Sequence, residues 1–274
     1  NWENTGLRQA VYGMINRWLD KGIDGFRMDV VTLLAKAPAL PDAAGEPNGA
    51  GCVMPCAQIA CQPALHRHLR EMRQTCFAGR DCMCVGEGCM ASLRTAPALV
   101  QDGRELDLLF AFDLMDIDGG KSKWDILPFS LAKWKAVVGR WQEALDWNTL
   151  FLSNHDQPRA VSRFGCTDSE ALRGRSAKLL GCMMHLMRGT SFVYQGEELG
   201  MTNLPFRDES ELRDIESLAL LQTAQSEAER QSLWQSILRK GRDNARTPMQ
   251  WDASKNAGFS AGDPWIRVNP NYET

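Results

Sequence analysis

The stretch GFRMD, residues 25–29, sets an acidic residue at the end of a short apolar run. VGE at residues 85–87 and NHD at residues 154–156 repeat that arrangement later in the chain. In a parallel (β/α) barrel, the residues that follow the carboxyl ends of the strands lie at one face, where active sites are built. Three acids in such positions therefore predict a barrel enzyme whose chemistry uses carboxylates.

Strand-like apolar runs alternate with helical patterns along the whole chain. Strands are expected at 25–28, 82–85, 106–112, 149–152 and 191–194, and helices at 7–19, 63–76, 131–145 and 170–187. This alternation favours an α/β fold with a parallel sheet. Because these strands are too few for a closed eight-stranded barrel, we expect a partial TIM (β/α)8 barrel, roughly strands 4 to 8 with their helices.

The length of 274 residues suits a single catalytic domain over residues 1–274. Residues 38–62 are rich in Pro, Gly and Cys without a clear period, which predicts a loop-rich insertion. The chain opens at Asn1 with no initiator Met and no apolar leader, so we expect a piece of a longer protein without a visible signal peptide.

Composition excludes two classes of partner. The net charge of −3 leaves no basic footprint for a nucleic acid, and no apolar run reaches the length of about 18 residues that a membrane-spanning helix needs. Neither pattern predicts an oligomeric state.

The nine cysteines are an odd number, which argues against a disulfide framework. A loose match to a metal site, Cys52-x3-Cys56-x4-Cys61 with His66 and His68, is the alternative. We expect no metal, thiols in a reducing cytoplasm, and histidines that lie at the surface or in the core.

Arg27 and Asp29 share one side of the first strand because side chains alternate along it. A guanidinium at that distance favours the ionised carboxylate, which is the form a nucleophile needs. A structural Arg–Asp ion pair is the alternative interpretation.

Glu87 follows an apolar strand, where partial desolvation favours a carboxyl group that holds its proton near neutral pH. This suits a general acid toward a leaving oxygen. A carboxylate at a helix start or in a loop is the alternative interpretation.

The third segment carries His155 and Asp156. His155 is expected to donate to a sugar hydroxyl, and Asp156 is expected to stabilise a developing sugar cation. An Asx turn is the alternative interpretation of this segment.

Two further segments carry polar side chains. We expect Glu197 and Glu198 to cap the next helix, and a position in the lining of the pocket is the alternative. Arg246 is expected to bind a sugar hydroxyl or a catalytic acid, with a plain structural role as the alternative.

At these residues the chain resembles the α-amylase superfamily of glycoside hydrolases (family 13). GIDGFRMDVV, CVGEG and FLSNHDQPR are similar to its second, third and fourth conserved regions, and FVYQGEELGMTN and NARTPMQWD resemble the oligo-1,6-glucosidase and α-glucosidase branch. The resemblance implies that the first conserved region, the last barrel helix and the C-terminal β-domain lie outside this chain. A calcium site of some members lies in an early loop outside it too, and no cofactor is expected here.

The resemblance also implies residue roles. Asp29 is the nucleophile, Glu87 the general acid/base and Asp156 the transition-state stabiliser. The residues implied in substrate binding are Arg27, His155 and Arg246 for the first glucose, Val30 for α-1,6 preference, and Lys123 for the second sugar. Gly88-Cys89-Met90 departs from the Met-Pro or Thr-Trp that relatives often carry there, which leaves the preference for the leaving group open.

The implied activity is that of a retaining exo-α-glucosidase on α-1,6 and also α-1,4 bonds of short oligosaccharides such as isomaltose. Trehalose-6-phosphate hydrolysis is the nearest alternative, and sucrose isomerisation uses the same acids. A non-catalytic relative, such as the barrel domain of transporter heavy chains, and an inactive fragment are the remaining alternatives.

Overall fold

The structure is a computed structural model that describes residues 1–47 and 52–273. The chain divides into two compact units: the first is Asn1–Asp113 with Ala136–Thr149, and the second is Leu114–Lys135 with Leu150–Thr274. Part of the predicted loop-rich insertion, residues 48–51, lies outside the described residues. The rest of it contains a short helix at Cys56–Ile59.

The strands follow the predicted order along the chain. They are β1 (Gly25–Met28), β2 (Met83–Gly88), β3 (Leu108–Ala111), β4 (Asn148–Leu150) and β5 (Gly189–Ser191). In the first unit, β1, β2 and β3 form a sheet in that order, and both pairings are parallel. The parallel pairing predicted from the alternation of strands and helices is confirmed for these strands.

The bounds of β2, β3, β4 and β5 all differ from the prediction, and two of these differences lie close to candidate site residues. β2 extends to Gly88, so Glu87 lies inside the strand and pairs with Phe110 rather than following the strand. The last strand ends at Ser191 instead of continuing to residue 194. There the amide of Glu197 donates to the carbonyl of Tyr194 at 2.9 Å, and this turn takes the chain out of the extended conformation.

The four predicted helical regions are helical, and further helices lie in regions where none was predicted. The helices are α1 (Thr5–Leu19), α2 (Cys56–Ile59), α3 (Pro63–Met72), α4 (Ala96–Val100), α5 (Leu131–Ala144), α6 (Ala160–Phe164), α7 (Glu170–His185), α8 (Ile215–Gln222) and α9 (Glu227–Lys240). A π-helical turn, Arg73–Phe77, continues α3. No helix among residues 1–47 and 52–273 is both long enough and apolar enough to cross a bilayer.

One face of α1 is buried. Tyr12, Ile15 and Leu19 are buried, whereas Trp18 is 48% exposed. Residues 12, 15 and 19 follow the i, i+3, i+7 spacing of one helix face, and the turn Arg73–Phe77 packs against this helix.

Close packing around β2 depends on Gly86. A Cβ atom there would lie 2.6 Å from a methyl carbon of Leu106 and 2.8 Å from one of Val31. Any larger residue would push these buried side chains away from the strand that carries Glu87.

The second unit has apolar clusters of its own. One is formed by Leu150, Leu152, Ala160 and Met184. The other contains Leu204, Phe206, Leu212, Leu221, Ile237 and Ile266. Two members of the first of these clusters, Leu150 and Leu152, lie in the segment that leads from β4 to Asp156.

Candidate active site

The first unit brings Arg27, Asp29 and Glu87 together at the ends of β1 and β2. Nη1 of Arg27 pairs with Oδ1 of Asp29, and Nη2 lies 3.1 Å from Oε2 of Glu87. The alternation of side chains along β1 predicts the contact between Arg27 and Asp29. The contact with Glu87 follows from the register of β1 on β2, because Arg27 pairs with Val85, two residues before Glu87. One guanidinium therefore contacts both carboxylates of this unit that the sequence predicts to be catalytic.

The side chain of Glu87 is nearly buried, with 11% exposed, whereas the side chain of Asp29 is 74% exposed. The amide of Val30 donates to Oε2 of Glu87 at 2.9 Å. Val30 takes the left-handed conformation, φ 38° and ψ 36°, which is unusual for a β-branched residue. This strained turn after Asp29 points a backbone donor at Glu87 and leaves the Val30 side chain 39% exposed.

Cys89 is a further group beside these acids that the sequence did not mark as a site residue. Burial raises the pKa of its thiol to about 11, and the carboxylates of Glu87 and Asp29 add to that rise. The hydroxyl of Thr32 donates to the Cys89 carbonyl at 2.6 Å and holds this segment in place. A neutral thiol therefore lies close to the two acids.

The second unit surrounds Asp156 with cationic groups. Arg246 donates from Nη2 to Oδ1 of Asp156 at 2.9 Å and from Nε to the carbonyl of His155 at 3.1 Å. His155 lies with Nε2 3.6 Å from Asp156. The predicted contact between Arg246 and a candidate catalytic acid is therefore present. The Asx turn is present too, since Asn154 accepts from the Asp156 amide at 2.8 Å.

Sequence reasoning missed Arg242 and Glu216. Nε of Arg242 lies 3.5 Å from Oδ1 of Asp156 and 3.2 Å from Oε2 of Glu216. The same oxygen of Glu216 accepts from Lys123 at 2.6 Å, and the ammonium lies 4.5 Å from the centre of the Trp124 ring. Lys123 is thus connected through Glu216 and Arg242 to Asp156.

Glu197 does not cap a helix, so that expectation is wrong. Its carboxylate accepts from the Ser153 hydroxyl and from the Tyr194 amide, the latter at 3.3 Å. Burial raises the pKa of Glu197 above its ordinary value. Glu198 accepts from the amide of Gly196 at 2.7 Å, inside the turn rather than at a helix start. Glu197 and Glu198 lie in the turn that follows β5, and no helix starts at this turn.

The histidines of the loose metal motif pair with carboxylates. Nδ1 of His66 lies 2.8 Å from Glu105, and Nε2 of the buried His68 lies 3.1 Å from Glu3. In the part of the chain that the structure describes, no group of three His, Cys, Asp or Glu side chains is arranged to hold a metal ion. Cys56, Cys61, Cys76, Cys82, Cys84, Cys89, Cys166 and Cys182 are free thiols.

Comparison with protein families gives one match over the whole chain. The model of the alpha amylase catalytic domain matches residues 1–274. The oligo-1,6-glucosidase of Parageobacillus thermoglucosidasius is 47% identical over 281 residues, which cover 100% of this chain and 49% of that protein. The trehalose-6-phosphate hydrolase of Bacillus subtilis is 42% identical and is covered over 48% of its length.

Two solved structures are similar to this chain over its whole length. The trehalose-6-phosphate hydrolase of Bacillus licheniformis superposes with a TM-score of 0.89 at 39% identity, over 100% of this chain and 49% of that one. A trehalulose synthase superposes with a TM-score of 0.90 at 38% identity, over 100% of this chain and 50% of that one. The chain therefore has the α/β fold of these enzymes and spans about half the length of the relatives it matches.

Proposed function

Because this chain belongs to the alpha amylase catalytic-domain family, we propose that the protein carrying it is a retaining exo-acting α-glucosidase. Its proposed substrates are the α-1,6 bonds, and also the α-1,4 bonds, of short oligosaccharides such as isomaltose. The observation that carries this proposal is the Arg27 guanidinium, which contacts both Asp29 and Glu87. Retaining glycosidases need two such carboxyl groups, one as nucleophile and one as acid/base.

In the first step Asp29 attacks the anomeric carbon of the terminal glucose while Glu87 protonates the leaving oxygen. A guanidinium beside a carboxylate favours the ionised form, and the exposure of Asp29 leaves its carboxylate accessible to a sugar. The covalent glucosyl ester keeps the sugar on Asp29 while the leaving sugar departs.

In the second step Glu87, now ionised, removes a proton from the water that attacks the same carbon. The ester bond to Asp29 breaks and glucose leaves with its original anomeric configuration. The Val30 amide and Arg27 both donate to Glu87. These donors stabilise the negative charge that Glu87 carries between the two steps.

Asp156 is the proposed stabiliser of the positively charged sugar in both transition states. Arg246 and His155 are the proposed glucose-binding residues, and their contacts with Asp156 and its neighbouring carbonyl support this assignment. Lys123 is proposed to bind the second sugar, and its pairing with Glu216 supports a polar subsite there.

The barrel assignment and the cellular location are proposals as well. We propose that β1 to β5 correspond to strands 4 to 8 of the (β/α)8 barrel of the family.

We also propose a cytoplasmic location. The free thiols of the cysteines named above support it, because reducing compartments keep thiols reduced.

The test is a comparison of glucose release from isomaltose, maltose and trehalose-6-phosphate by the protein expressed from its complete reading frame. Fastest turnover of isomaltose is the expected result. Activity on the phosphorylated sugar alone would replace the substrate proposal with that of the Bacillus subtilis relative. Glucose released as the β-anomer would contradict the retaining mechanism.

A further inference from the structure

Arg159 is the bulkiest of the almost completely buried side chains in the described part of the chain, with 1% exposed. Removing a guanidinium from water is unfavourable unless its N–H groups find acceptors. The hydrogen-bond acceptors of the Arg159 guanidinium are two backbone carbonyls and a hydroxyl, and the carboxylates of Glu197 and Glu198 act on its charge without accepting a hydrogen bond from it. A buried cation with these acceptors joins separate pieces of backbone.

Its acceptors lie on two separate loops of the second unit. Nε donates to the carbonyl of Asn244 at 2.9 Å, and Nη2 donates to the hydroxyl of Thr247 at 3.0 Å. Nη1 donates to the carbonyl of Gln195 at 2.6 Å. The guanidinium carbon lies 5.7 Å from the centre of the Tyr194 ring, which adds a cation–π contact. The planar fork of an arginine can meet all these partners at once.

The positions of these acceptors matter for the proposed active site. Asn244 and Thr247 flank Arg246 on both sides, and Asp156 lies three residues before Arg159. Arg246 in turn reaches back to Asp156 and to the His155 carbonyl. Two arginines therefore connect the same pair of segments, one in the buried interior and one at the candidate site.

We infer that Arg159 is a positioning residue for the reaction, because it fixes the backbone around Arg246 against the segment that carries Asp156. This inference rests on the proposed function, in which Asp156 stabilises the sugar cation. Without the Arg159 fork, Arg246 is no longer held at the distance that allows it to bind Asp156. The hydrogen bonds of the Arg159 guanidinium do not include Asp156, so in this proposal it acts on Asp156 through Arg246.

A matched control is available in Arg173. Its guanidinium also donates to two backbone carbonyls, those of Leu199 and Gly200, both at 2.8 Å. It also pairs with the exposed carboxylate of Glu170. Arg173→Lys removes a similar fork without touching the segments of Asp156 and Arg246, and we expect its kinetics to match those of the parent protein.

The test is a double-mutant cycle in the protein expressed from its complete reading frame. The value of kcat/KM on an aryl α-glucoside is measured for Arg159→Lys, Arg246→Ala and the double variant. We expect each single variant to lose at least about tenfold, and the double variant to be no worse than Arg246→Ala within about threefold. Losses that multiply would overturn the inference, as would an unchanged Arg159→Lys protein.

Thr247→Val is a milder companion variant in case Arg159→Lys fails to fold. It removes the hydroxyl that accepts from Nη2 and that also donates to the Asn244 carbonyl at 3.5 Å. We expect a loss of about threefold that disappears when Arg246 is alanine. The same loss in both backgrounds would contradict coupling through Arg246.

Hydrogen exchange separates this inference from the proposed function because it needs no activity. In Arg159→Lys or Thr247→Val, amides of residues 242–252 should exchange at least about threefold faster, whereas those of α8 should not change. Unchanged exchange at residues 242–252 in both variants would overturn the positioning role even if the protein released no glucose. Faster exchange in a protein without glucosidase activity would support the positioning role and refute the proposed function.

Discussion

The backbone amide of Val30 donates a hydrogen bond of 2.9 Å to Oε2 of Glu87. Val30, which follows the proposed nucleophile Asp29, is therefore bound through its backbone to the proposed acid/base Glu87. Val30 is partly exposed. We therefore expect the side chain of Val30 to influence the preference for the leaving sugar.

Val30→Ala should lower the ratio of isomaltose to maltose turnover. The substitution removes two methyl groups from a partly exposed position, and changes of this size in a pocket shift discrimination by about tenfold. The measurement is kcat/KM on both disaccharides. Val11→Ala, on the partly buried side of α1, is the control and should leave the ratio as it is. A ratio unchanged in Val30→Ala would remove Val30 from the specificity assignment.

Glu87→Gln should reduce hydrolysis of isomaltose by about 10³-fold, because general acid–base catalysis contributes on that order. An aryl α-glucoside with a good leaving group needs little protonation, so its first step should be largely preserved. Added azide should then release α-glucosyl azide from the intermediate. The exposed Glu143→Gln is the control. Equal losses on both substrates, without azide rescue, would argue against the acid/base role.

Lys123→Met should weaken substrates with a second sugar and spare those without one. Loss of a hydrogen bond from a charged donor is worth roughly tenfold or more in kcat/KM on isomaltose. Hydrolysis of an aryl α-glucoside should change little. Lys121→Met, two residues away on the exposed surface, provides the comparison. Equal effects on both substrates would place Lys123 outside the second sugar subsite.

Asp118→Asn should destabilise the second unit. Burial alone would raise the pKa of Asp118, but Arg163 and Lys240 together hold it below its ordinary value of 3.8. The stabilisation is therefore present above that value and is lost as the pH falls through the depressed native pKa. Removing one partner of a buried ionic cluster costs about 3 kcal/mol.

The measurement for Asp118 is urea unfolding near neutral pH and again at acid pH. The parent protein should lose stability on acidification more steeply than the variant, because the variant lacks this carboxylate. Asp146→Asn, at an exposed position, should behave as the parent does. Parallel pH curves for parent and Asp118→Asn would contradict the assignment.

Native alkylation should distinguish the thiols. Burial raises the pKa of Cys84 to about 12 and that of Cys76 to about 11, and both side chains are buried. Because the thiolate is the reactive form, iodoacetamide should label the exposed Cys56 and Cys182 first. Peptide mapping by mass spectrometry follows the order, with a sample in urea as the control. Early labelling of Cys84 would mean that the sheet of the first unit opens readily.

The sequence predicted those parts of the site that depend on local geometry. Arg27 lies beside Asp29 because strand side chains alternate, and the motif around residue 87 marked Glu87 even though β2 extends further than expected. Strand ends were harder to place, because the turn at Tyr194 depends on hydrogen bonds that apolar runs do not encode.

Long-range partners could not be predicted in the same way. Glu216 is 93 residues from Lys123, and Arg242 reaches Asp156 from a short turn after α9. Such contacts depend on how the second unit packs, and no local sequence pattern predicts them. Glu197 was mistaken for a helix cap because two acids in a row resemble a helix start, whereas in the folded chain its carboxylate accepts a hydrogen bond from the Ser153 hydroxyl.

The most direct test of the central claim is to trap the covalent intermediate. A fluorinated α-glucosyl fluoride that slows the second step is incubated with the protein from the complete reading frame, and labelled peptides are mapped by mass spectrometry. Our account predicts one glucosyl label, on Asp29, and none in Asp29→Asn, with Asp24→Asn labelled as in the parent protein. A label on Asp156 or Glu87 instead of Asp29 would contradict the account.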